Sequence, residues 1–173
     1  IRGLAFIQEP KRVYPNDHLL SQAIGFVGAD GNGLEGVEVQ HEDYLSGNKK
    51  KINLRRDARG RPLIVNGKVF TDNPDGSNIE LTIDADLQYH LEKELAIAID
   101  QHDADSAVGV ILDAKSSEVL ALANIPTFNL NKPLNYYPKI RRNRAVTDAF
   151  EPGSTMKTFV LAAAIQGGVI RPN

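Results

Sequence analysis

Between residues 85 and 101, apolar side chains fall at Leu87, Leu91, Leu95, Ala98 and Ile99, the spacing that gathers them on one face of a helix. Asp84 or Asp86 stands where a cap for the first turn is needed, and the polar stretch 101–105 ends the pattern. Residues 108–112 and 119–123 follow a different rhythm, apolar on successive positions, and are joined by the polar segment 113–118. That link is too short for a parallel crossover, so the two runs are predicted to pair as an antiparallel hairpin. Both hairpin faces should then be covered, and the helices at 85–101 and 154–166 are the available covers. Ile79, Leu81 and Ile83, alternating with polar residues, read as one more strand.

Upstream of about residue 75 the pattern is shorter and richer in turns. Gly28, Gly31 and Gly33 punctuate one stretch and Asn66-Gly67 another, with the alternating run 51–55 between them, all of which are hairpin signals. The turn-forming segment 73–78 marks a boundary. Two units are expected, a small β-rich module over 1–77 and an α+β unit over 78–173, with helices packed on an antiparallel sheet.

From Thr158 to Gln166 the chain is apolar around almost the whole helical circumference, which is how a helix enclosed by protein reads. Gly167-Gly168 supplies its stop, with Pro172 beyond. At its start, Pro152 and Gly153 break the preceding chain, and Ser154 stands three residues before Lys157. Side chains at i and i+3 are neighbours on a helix surface, so the Lys157 amine can fold back toward the Ser154 hydroxyl. A serine nucleophile needs such a proton acceptor within reach. Burial of Lys157 is expected to supply the neutral amine, because desolvation can lower a lysine pKa by up to about 3–5 units. The first-turn amides and the helix dipole would favour an oxyanion on an attacked carbonyl. A capped core helix whose lysine snorkels to water remains the other reading of these residues. A second copy of the spacing, Ser46 and Lys49, lies in a polar turn without an apolar helix and is read as a solvated loop.

Composition narrows the alternatives. In 173 residues, 42% are hydrophobic, enough for a core, and the net charge of −2 gives no global reason to expect nucleic acid or an anionic membrane as partner. Cysteine is absent, which removes disulfides and thiolate chemistry. His18, His41, His90 and His102 lack paired spacing, so no metal or other cofactor is expected. Asp100, Asp103 and Asp105 suit a polar helix exit better than a calcium loop. The basic residues Lys49, Lys50, Lys51, Arg55, Arg56, Arg59 and Arg61 read as the solvated face of a hairpin, with Arg56-Asp57 as an internal ion pair. No apolar run approaches 18 residues and no leader pattern opens the chain, so any membrane anchor is expected outside it.

With these residues in view, the chain resembles the class B penicillin-binding proteins. In the first part, Arg12-Val13-Tyr14-Pro15 with Ala23-Ile24-Gly25, then Gly33-Leu34-Glu35-Gly36-Val37-Glu38 with Leu45 and Gly47, then Arg56-Asp57 with Gly60, are similar in order to three motifs of the family's non-catalytic pedestal module. In the second part, Leu81-Thr82-Ile83-Asp84 with Leu87-Gln88, the run Glu118 to Asn124, and Arg142-Asn143-Arg144-Ala145 before Phe150-Glu151-Pro152-Gly153-Ser154-Thr155-Met156-Lys157 are similar to the start of the transpeptidase domain. The stretch from Arg144 to Lys157 looks closest to the members that act at the division septum.

The resemblance implies a serine D,D-transpeptidase of peptidoglycan synthesis, a target of β-lactams. It sits at the inner membrane with its catalytic part facing the periplasm, and its partners are stem peptides ending in D-alanyl-D-alanine and proteins of cell-wall assembly. Ser154 is implied as the nucleophile and Lys157 as the acylation base. No Ser-x-Asn or Lys-Thr-Gly motif of the family follows Lys157 in these 173 residues, so the isolated chain is expected to be inactive. The competing expectations are a structural, partner-docking module with an unused serine, and a β-lactam hydrolase or sensor.

Overall fold

The computed structural model describes residues 11–47 and 76–171. In the first part, the chain turns through three short helices, α1 (Ser21–Ile24), α2 (Gly36–Gln40) and α3 (Glu42–Leu45). The Gly28-to-Gly33 signal closes a turn held by a single antiparallel bridge between Val27 and Gly33, not a ladder. The strand and turn signals at 51–55 and Asn66-Gly67, the basic cluster from Lys49 to Arg61 and the Arg56-Asp57 pair lie outside the described residues.

Two of the pedestal-like motifs meet in space. Arg12 donates through Nε to Glu38 Oε1 at 2.7 Å, and the Tyr14 hydroxyl donates to the same oxygen at 3.1 Å while accepting from the Val27 amide. Burial pushes the Tyr14 phenol up to about 12, reinforced by the Glu38 charge and the bond that carboxylate accepts. An unfolded tyrosine titrates near 10. The folded state therefore holds this proton more tightly, and the stability it contributes is intact below about pH 10 and lost as pH rises toward about 12. Denaturation measured across that interval should show a weaker loss of stability for Tyr14→Phe than for the parent; an identical slope would remove Tyr14 as the cause.

In the second part, helix α4 (Ala85–His102) begins where Asp84 accepts from the Asp86 and Leu87 amides, a cap of about 1 kcal/mol, and ends at Asp103 in the left-handed region. Strands β1 (Ala107–Leu112) and β2 (Val119–Ile125) form the expected antiparallel hairpin, in register from Ala107 opposite Ile125 to Ile111 opposite Ala121, with a bulge before Leu112. Its turn is built by Asp113, whose side chain accepts from the Lys115 and Ser116 amides, bonds that hold its carboxyl below the usual range. Helix α4 lies across the hairpin. A Cβ on Gly109 would come within 2.8 Å of Leu91 and 3.0 Å of Leu95, so the missing side chain is what lets helix and strand approach. Two short helices, α5 (Pro138–Arg141) and α6 (Arg144–Thr147), precede the last, α7 (Met156–Gln166).

Three expectations need correction. Residues 79–83 are not a strand: Thr82 Oγ1 donates to Val119 O and the Asp84 amide to Leu120 O, contacts along β2 that build no ladder. Among the described residues α4 is the main helical cover of the hairpin, with α6 and α1 touching it; burial alternates along β1, and Val108, Val110 and Leu112 stay exposed because α7 does not pack there. On α4, Leu87 is exposed while Gln88 and Glu92 are buried. Gln88 behaves as a short strand, its Oε1 accepting from the Leu122 amide and its Nε2 donating to Leu122 O and Glu92 Oε1. Glu92 also accepts from the Leu20 amide at 2.7 Å, which ties α4 to the first part. These bonds offset the cost of burying two polar side chains.

Both parts contribute to one core. Tyr14 and Phe26 pack with Phe128 and Leu130, the two phenylalanine rings edge to face at 6.3 Å. Asn131 seals the junction, accepting from the Tyr14 amide and donating to the Tyr14 carbonyl.

Candidate active site

Ser154 lies in the 3₁₀ turn Gly153–Thr155 that opens directly into α7, and Lys157 is the second residue of that helix. The turn forms because Gly153 takes φ 55° with open space where a Cβ would stand. The Thr155 amide then reaches back to Pro152 O at 3.3 Å. Helix α7 stops as its glycines predict: Gly167 donates to Ala163 O, Gly168 is left-handed, and Val169 donates to Ala164 O.

Two adjacent hydroxyls stand at this helix start, and they differ. Thr155 Oγ1 donates to Pro152 O, which occupies it. Ser154 Oγ has no hydrogen-bond partner among the described residues, so of the two it is the unengaged hydroxyl. Lys157 occupies the next turn, yet no hydrogen bond joins it to Ser154 among the described residues. Catalytic hydrogen bonds in a ligand-free site are often long and tighten only with substrate bound.

The enclosure expected around this pair is not found. Lys157 is exposed, and so is nearly all of α7, with Phe159 68% and Val160 59% accessible. The turn Gly153–Thr155 is the main packing partner of α7 among the described residues, so no apolar wall desolvates the lysine. A helix apolar on every side normally sits inside protein, so α7 has the surface of a core helix and lacks the cover. The first-turn amides are also partly spent, since those of Thr155 and Met156 bond back to carbonyls of residues 152–154.

Asn124 and Asn143 entered the sequence reading only as motif residues, and Gln22 not at all, yet these polar groups fix the approach to this turn. Asn124, buried on β2, donates to Asn143 Oδ1 and accepts from the Ala145 amide, both at 3.0 Å. Gln22 Nε2 donates to Pro126 O at 2.9 Å and Ile140 O at 3.1 Å. An asparagine ending an apolar strand is the one visible signal. No cluster of metal-ligating side chains occurs among the described residues, and the four histidines are not brought together. A cleft of about 450 Å³ lies between the first part and the start of the second, lined by Arg12, Glu38, Leu45, Asn78, Ile79 and Leu81, and does not include Ser154.

Comparison with known proteins identifies both halves. The penicillin-binding protein dimerisation domain matches residues 1–81, and the penicillin-binding protein transpeptidase domain matches residues 107–173. The chain is 37% identical over 171 residues to the peptidoglycan D,D-transpeptidase FtsI of Escherichia coli, covering 99% of this chain and 29% of that protein. Against FtsI of Buchnera aphidicola it is 35% identical, over 99% of this chain and 30% of the relative. Among solved structures, penicillin-binding protein 3 of Mycobacterium tuberculosis in complex with aztreonam superposes with a TM-score of 0.73 at 30% identity, over 94% of this chain and 33% of the other. The chain thus spans about three tenths of the length of the curated relatives it matches. It belongs to the penicillin-binding proteins, with a dimerisation-domain segment followed by the start of a transpeptidase domain.

Proposed function

We propose that the protein to which this chain belongs is a peptidoglycan D,D-transpeptidase with Ser154 as its nucleophile, and that it works in septal wall synthesis at the inner membrane with its catalytic part in the periplasm. The observation that carries the reading is the unpartnered Ser154 hydroxyl in the turn that opens α7, one turn before Lys157. The FtsI relatives, named as peptidoglycan D,D-transpeptidases, support the reaction class, and the aztreonam complex of a structural neighbour supports β-lactam recognition. Among the described residues no helix is long and apolar enough to cross a membrane, so anchoring is assigned to a segment other than these.

Ser154 Oγ attacks the carbonyl of the penultimate D-alanine of a stem peptide while Lys157 takes its proton. The tetrahedral intermediate collapses with cleavage of the C–N bond, the proton held by Lys157 passes to the departing amine of the terminal D-alanine, and Ser154 is held as an ester. An amine of a neighbouring stem attacks that ester, its proton passes through Lys157 to Ser154 Oγ as the ester C–O bond breaks, and a peptide cross-link is left. We place the boundary between the non-catalytic module and the transpeptidase domain at 77/78. The Ser77 amide bonds back to Tyr44 O, whereas the Asp84 amide bonds forward to Leu120 O, which supports that division.

The test is mass spectrometry of the full-length protein after incubation with a penicillin. The expected product is one acyl adduct on the peptide containing Ser154, stable for many minutes. Rapid hydrolysis of the adduct would favour a β-lactam hydrolase instead, and no adduct would favour a structural, partner-docking module.

A further inference from the structure

Residues 138–147, which carry α5 and α6, form a strap leading to the nucleophile turn, and three side chains pin it. Gln22 holds the Ile140 carbonyl from the first part. Asn124 holds Asn143 and Ala145 from β2. Between these, Arg141 of α5 stacks on the Phe26 ring, its guanidinium 5.1 Å from the centroid, and reaches Glu35 Oε1 at 3.4 Å. Downstream, Arg142 and Arg144 both pair with Asp148, at 2.6 Å and 3.2 Å, which fixes the strap as far as six residues before Ser154.

The Arg141 clamp is costly for a device that only adds stability. Its side chain is 14% accessible and its Nε is buried without an acceptor among the described residues. Glu35 is itself partly buried, and that burial raises its pKa against the pull of Arg141. Partly buried ion pairs are weak contributors to stability, and fixing register is their best-attested use.

We propose that Arg141 is a positioning residue for Ser154: clamped by Glu35 and Phe26 of the first part, it sets the strap and therefore the orientation of the nucleophile turn. The first part thereby tunes the acylation rate without touching substrate. The inference rests on Ser154 being the nucleophile. A misplacement of about 1 Å remote from the chemistry can cost about 10²-fold in rate, so a partial loss of the clamp should cost about 10-fold.

Stopped-flow acylation of the full-length protein by a fluorescent penicillin separates initial binding from the acylation step. Glu35→Gln, nearly isosteric, and Arg141→Met should each slow the acylation step about 10-fold with initial binding unchanged. The double variant should be no slower than either single variant, and Arg141→Lys should recover part of the rate. An unchanged acylation step, or losses that multiply in the double variant, would overturn the clamp. Ser154→Ala runs in parallel: if it still becomes labelled, the nucleophile assignment fails, whereas a normal rate for Glu35→Gln beside an unlabelled Ser154→Ala defeats the positioning role alone.

Discussion

Ser154→Ala in the full-length protein is expected to abolish covalent penicillin binding, and Lys157→Met to slow it by about 10³-fold while leaving initial binding nearly intact. The first effect is total because no neighbouring hydroxyl can substitute: Thr155 donates to the Pro152 carbonyl, and Thr158 is a further turn along α7. The second is large because proton removal by a positioned base contributes about 10²–10⁴-fold to such a step. Methionine keeps the length and apolar stem of lysine and is favourable in a helix, so it deletes the amine with little change in α7. Gel fluorescence gives the end point and stopped-flow kinetics the rate. Full labelling of Ser154→Ala would transfer the chemistry to another residue, and a wild-type rate for Lys157→Met would remove the lysine as base.

What could be seen in the chain before its folding, and what could not, divides along physical lines. Helix α4, its cap to within Asp84 or Asp86, the β1–β2 hairpin and the Gly167-Gly168 stop were all legible, since each rests on interactions between residues close in sequence. The burial of Gln88 and Glu92 was not. Helical periodicity treats a polar side chain as solvent-facing and cannot anticipate that an amide will bond the backbone of Leu122 as a further strand would. Long-range bonds such as those between Asn131 and Tyr14, 117 residues apart, are equally invisible. The i, i+3 placement of Ser154 and Lys157 was legible, but the dielectric around them depends on what packs over α7, and pattern predicts only that cover is needed.

Gly25→Ala is expected to cost the first part about 3 kcal/mol or more. Gly25 sits at φ 74°, ψ −165°, a region essentially restricted to glycine, and another residue there costs about 1–3 kcal/mol. It is also packed against backbone: a Cβ would lie 1.8 Å from the Glu35 carbonyl oxygen and 2.7 Å from the Gly36 amide. Overpacking of this kind adds about 1–3 kcal/mol, and more where, as here, the neighbour is main chain and cannot rotate away. The contact joins α1 to the start of α2, so relieving it would also displace Glu35, the carboxylate paired with Arg141. Gly31→Ala separates the two costs, because Gly31 has φ 78° with nothing within 4 Å of its would-be Cβ, and it should lose only the backbone component. Hydrogen exchange on residues 11–47 of the full-length protein reads both. Amides around α1 and α2 should exchange about 10²-fold faster in Gly25→Ala, the factor that corresponds to about 3 kcal/mol, and about 10-fold faster or less in Gly31→Ala. Equal acceleration in the two variants would mean that conformation alone, and not the packing of α1 on α2, requires glycine at position 25.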